Sequence, residues 1–216
     1  MIDAALQDRV AAAWVVGGLS IVVVLTWPGL SLLELLAAGG TPTMVEAIRL
    51  ALPLSALCAG GYLGSRWEEE GRRRSIREHI AAITLFAGAT LPPVAVAAGV
   101  SALGPATVPA LALLAAVLAA ASRGIAIIAR AIVRAPVLRS ILVWGLLAAV
   151  LAVSALHAPT ANPIAMTAAL SDPGSSMGGY ELVERWAPVA GWAAAAAVAL
   201  TVAARLERGA RENRDG

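Results

Sequence analysis

Arg66-Trp-Glu-Glu-Glu-Gly-Arg-Arg-Arg-Ser-Ile-Arg-Glu-His79 is the one long charged run between apolar segments of this chain. It holds five arginines, at 66, 72, 73, 74 and 77. Apolar stretches long enough to cross a bilayer flank it on both sides. Short loops rich in basic residues stay in the cytoplasm. The run therefore reads as an inner loop, and that choice orients every other segment.

Composition agrees with membrane residence. Of 216 residues, 59% are hydrophobic and 14% charged. A soluble domain carries about 25% charged residues. The length suits one membrane domain, residues 1–216, of all-α class: six transmembrane helices as a bundle of three helical hairpins, with short interfacial helices besides. The net charge of +2 gives no reason to expect a nucleic-acid partner.

All sixteen basic residues are arginine. Without lysine there is no Schiff base to retinal or pyridoxal phosphate, and no P-loop lysine for ATP hydrolysis. The alanine, arginine and valine bias suggests a GC-rich prokaryotic genome. One cysteine, Cys58, allows no internal disulfide and no metal cluster. It reads as a small buried residue. No cofactor or metal is expected.

The spans fall at about 10–27, 47–64, 80–103, 106–122, 140–156 and 186–204. The first exceeds the roughly 7–15 apolar residues of a signal h-region, so it reads as a retained span. Residues 29–38 fit an interfacial helix or the last turns of span one. In span two, Pro53 predicts an early kink. Gly60-x-x-x-Gly64 predicts close approach of another helix, either inside the bundle or at a dimer face. Span three contains Pro92-Pro93, which removes two backbone donors and predicts a helix break. The carbonyls near Gly88 and Ala89 then need other partners.

Gly104-Pro105 turns the chain tightly into span four. Residues 123–139 read as a second inner loop, with Arg123, Arg130 and Arg134 on one helical face. That face suits an amphipathic interfacial helix or span four leaving the lipid. Residues 157–185 form the outer loop, in which Pro163–Leu170 fits one short helix. The tail is 205–216.

Six crossings put both termini on one side. Arg9, the arginines of the two inner loops and those of the tail then share the cytoplasm, fourteen of the sixteen, leaving only Arg49 and Arg185 outside. The expected location is the cell membrane, multi-pass, with both ends cytoplasmic.

Candidate chemistry is sparse. His79 and His157 fall at opposite faces, about 30 Å of hydrocarbon apart, and cannot share a metal. Both read as interfacial polar residues. Glu68-Glu69-x-x-x-Arg73 repeats the first motif of the intramembrane glutamate proteases that cut prenylated proteins. Their later phenylalanine and histidine motifs are missing: Phe86, the only phenylalanine, has Thr90 four residues on. Ser175-Ser176 lacks the G-x-S-x-G elbow of a hydrolase.

The leading expectation is a non-catalytic membrane protein, a subunit or small permease-like component that packs with partners. Its interaction sites would be Arg72, Arg73, Arg74, Arg77, Arg130 and Arg134, docking anionic lipid or a cytoplasmic subunit. Copies of itself and other membrane subunits are the remaining partners. A stand-alone transporter or channel for a small solute is the alternative, with Glu46, Arg49 and His157 lining an outer cavity beside the Pro92-Pro93 break. A membrane enzyme acting on lipid comes third, for want of clustered nucleophiles or ligands.

Overall fold

The computed structural model describes residues 4–25, 44–65, 76–101, 103–133, 135–171 and 179–215. Among them there are seven α-helices, one short 3-10 turn and no strands. The helices are α1 (Ala4–Leu25), α2 (Met44–Ser65), α3 (Ile76–Val100), α4 (Thr107–Ile132), α5 (Pro136–His157), α6 (Pro163–Leu170) and α7 (Gly179–Asp215), with the 3-10 turn at Pro159–Ala161.

Five of them, α2, α3, α4, α5 and α7, are long and apolar enough to cross a membrane. The apolar part of α1 is shorter, Ala12–Leu25. The structure thus supports five crossings by length and hydropathy, one fewer than the sequence predicts. The whole of α1 is 22 residues, about 33 Å at about 1.5 Å per residue.

α1 packs against α2 and α3, and both of these pack against α4, so the four close a ring. The core is a helical stripe from each: Val15, Leu19 and Val23; Ile48, Leu52 and Ala56; Phe86, Val94 and Ala97; Leu111, Leu114 and Leu118. Spacings of three and four put each stripe on one helical face. α4 is the axis, packing against every other helix but α1. α7 lies on its far side, and α5 leans on α4 and α2.

The arrangement as three hairpins is not confirmed. α1 pairs with α2 and α3 with α4, but α5 and α7 do not pack along each other. In the connection between them the 3-10 turn touches both helices, while α6 folds back mainly onto α2, with Met166 and Leu170 in the core.

α4 also runs ten residues further than the predicted span, through Ser122 to Ile132. The apolar run Ile125-Ala-Ile-Ile-Ala129 keeps the helix buried past Arg123. It stops at Val133, which is extended at φ −110° and ψ 114°. Ala135, held extended at ψ 120° by the following proline, leads into Pro136 in the first turn of α5.

Pro92 and Pro93 do not end α3, which continues through them to Val100. The predicted break is absent as an interruption of helix. Thr90 is fully buried and donates its hydroxyl back to the Ala87 carbonyl at 2.8 Å.

Glycines decide how close the helices come. A Cβ on Gly60 would collide with Ser122 Oγ and the Ala119 carbonyl of α4. One on Gly64 would sit 2.5 Å from Ala126 Cβ and 2.8 Å from the Arg123 carbonyl oxygen. The Gly60/Gly64 motif is therefore an internal α2–α4 contact. On the opposite side, a Cβ on Gly124 would lie 2.7 Å from Ala199 Cβ of α7.

Gly60→Val, Gly64→Val and Gly124→Val should each lower stability by about 1–3 kcal/mol, the usual cost of overpacking. Gly88→Ala and Gly145→Ala, where nothing lies within 4 Å, should be neutral or slightly stabilising. Thermal unfolding in detergent, followed by fluorescence-detected size exclusion, separates the two groups.

Candidate functional site

The polar groups of the bundle fall into two kinds. Buried or half-buried hydroxyls return to their own helix. Ser55 donates to the Leu52 carbonyl, Ser122 to Ala119 and Thr167 to Pro163, at 2.9, 3.2 and 2.8 Å. This local bonding satisfies them without tying one helix to another. The ties between elements lie toward the two ends.

At the end where α2 leaves and α3 begins, Arg123 of α4 is 2% exposed. It sits nine residues before the end of its helix, about 13 Å inside. Its Nε donates to Nδ1 of buried His79, on α3, at 3.1 Å. Since Nδ1 accepts, the imidazole carries its proton on Nε2. An ionisable side chain at this depth is expensive and marks a functional position by default.

By charge, the sequence places Arg123 in an inner loop or where span four leaves the lipid, and His79 at the interface. The helical pattern continuing through residues 125–132 is the signal that places Arg123 inside. The same end holds Arg139, 4% exposed, whose Nε donates to the Val133 carbonyl at the end of α4 at 3.2 Å. A cation at a helix C-terminus is favourably placed.

At the other end, the connection between α5 and α7 is pinned in three places. Asn162 is buried and caps α6, its Oδ1 accepting from the Ile164 N–H at 3.0 Å. Its Nδ2 donates to the Leu151 carbonyl and to Ser154 Oγ of α5, both at 3.1 Å. Trp192 of α7 donates from Nε1 to the Ala161 carbonyl at 2.9 Å. Arg49 of α2 donates from Nε to Ser171 Oγ at 2.7 Å, at the C-terminus of α6.

The residues of the expected outer cavity are thus placed as follows. Glu46 is exposed in the first turn of α2, and Arg49 is turned to α6. His157 is exposed as the last residue of α5. Among the expected docking arginines, Arg77 is exposed and Arg130 half-buried, while Arg72, Arg73, Arg74 and Arg134 lie outside the described residues. So do residues 29–38 and most of the charged loop. Cys58 is exposed on α2, against the buried position expected of it. Among the described residues, no three His, Cys, Asp or Glu side chains cluster to hold a metal.

The chain matches no family model, and no curated protein or solved structure is significantly similar to it.

His79→Ala should cost about 1–3 kcal/mol, because it leaves a buried guanidinium short of an acceptor. His157→Ala should be silent. A double-mutant cycle of His79→Ala with Arg123→Met should give a coupling of about 0.5–3 kcal/mol. Unfolding titrations in mixed micelles read all four proteins.

Proposed function

We propose that this chain is a non-catalytic integral membrane subunit, a helical scaffold that packs with partner helices in the cell membrane. In this reading α1 is the sixth crossing and both termini lie in the cytoplasm, as the arginine distribution favours. The observation that carries it is the contrast between helices. The apolar window of α4 is 72% buried, while those of α5 and α7 are each 17% buried.

The uncovered faces are rich in small residues: Gly145, Ala148, Ala149 and Ala152 on α5, and Ala190, Gly191 and Ala194 on α7. Lipid tails cover a leucine as well as another helix does. Small residues add something different, close backbone approach by a neighbouring helix. The interior supports the same reading. Ser55, Thr90, Ser122 and Thr167 bond within their own helices, and the buried Arg123 is bound to His79. Arg77 and Arg130 at the inner end suit anionic head groups, worth about 1 kcal/mol per basic residue near the surface.

Native mass spectrometry of the chain released from its own membranes in lipid nanodiscs tests this. The expected result is an assembly heavier than the 21.8 kDa monomer, lost when Gly145 and Gly191 are both replaced by leucine. A lone monomer from native membranes would overturn it.

A further inference from the structure

α5 is attached to the bundle in an unusual way. Its side-on packing rests on few residues, with Val143 and Leu147 fully buried along its apolar length. Opposite them is Gly61 of α2, where an added Cβ would lie 3.3 Å from Leu147 Cδ1 and 3.5 Å from Trp144 Cη2. That is an apolar contact between a ring, a methyl and a bare backbone, with no side-chain hydrogen bond shown across it.

Besides this apolar contact, α5 is held by polar bonds at its two ends. Arg139 grips the Val133 carbonyl at the inner end. Asn162 grips the Leu151 carbonyl and Ser154 Oγ at the outer end. Extended residues border it at one end, Val133 and Ala135, and the Pro159–Ala161 turn follows it at the other.

In water, moving such a helix would expose apolar surface. In a bilayer it would not, because acyl chains replace the lost side-chain contacts at little cost. The outer links hold without α5: Trp192 anchors the Ala161 carbonyl, and Arg49 anchors Ser171. The bundle can therefore stay closed while α5 shifts.

We propose that α5 is a lateral gate, a helix that rocks away from the α2–α4 groove when the Asn162 latch opens, letting bilayer hydrocarbon reach Gly61. The Arg139 contact serves as the pivot. Asn162 is suited to latching because its two functions are separable. Its Oδ1 caps α6 and its Nδ2 holds α5, so the amide can lose α5 and keep the cap. The carbonyl of Leu151 keeps its intrahelical partner when the latch opens.

The test is double electron–electron resonance on the full chain in nanodiscs, in a Cys58→Ser background. Spin labels go on exposed Leu50 of α2 and Val153 of α5. A reference pair goes on Leu50 and exposed Leu113 of α4. The expected result is one dominant α2–α5 distance in the parent and a longer one in Asn162→Asp, which keeps the capping oxygen and loses the amide donor. The longer population should rise at least about five-fold, the ratio expected for each of the two intramembrane hydrogen bonds lost.

Thr160→Ala, beside the latch, should leave both distributions unchanged, as should the reference pair in every variant. An unchanged α2–α5 distance in Asn162→Asp overturns the proposal. So does equal broadening of the reference pair, which would mean general loosening. Should Asn162→Asp fail to fold, Ser154→Ala removes one latch acceptor and must shift the distribution the same way; no shift there is equally fatal.

Discussion

Backbone-to-backbone approach along α4 is the constraint on which the rest depends. Where the backbones of α2 and α7 come closest to α4, the residues that meet are small. Ala119, Ser122 and Ala126 meet Gly60 and Gly64 on one side, and Gly124 meets Ala199 on the other. Apolar burial gives little net attraction inside a bilayer, so helices associate through contact area at short range. Glycine and alanine supply that range. Once α4 is held on both flanks, α3 and α1 complete the ring around a core of leucine, valine and alanine.

The polar chemistry is arranged around this dry middle. Ser55, Thr90, Ser122 and Thr167 bond within their own helices, so none is left seeking a partner across the core. Ties between elements include Arg123 with His79 within the bundle and, nearer the ends, Arg139 with Val133, Asn162 with α5, Trp192 with Ala161 and Arg49 with Ser171.

Much of this could be read from residue order alone. Long alanine, leucine and valine runs mark the spans, and Asn162-Pro163 marks the start of α6, where asparagine caps and proline occupies the first turn. Other features depend on contacts between distant residues. Arg123 looked like the end of a span because charge usually stops one; only burial against α3 and α2 shows the helix carrying it inward. Gly60 and Gly64 announced close approach without naming the neighbour. The 158–171 connection is of the same kind: it has a core face of its own, and Met166 and Leu170 join the bundle core through packing that only the fold shows. Pro92-Pro93 predicted a break, but two missing N–H groups did not suffice to interrupt a helix of 25 residues.

α4 is the shielded axis of the bundle. A lipophilic carbene generated within the bilayer core tests it on the unmodified chain, with label mapped by peptide mass. The account expects heavy labelling of α5 and α7 and of the outward faces of α1 and α3, with residues 114–129 of α4 spared. Labelling of 114–129 as strong as that of α5 would contradict it.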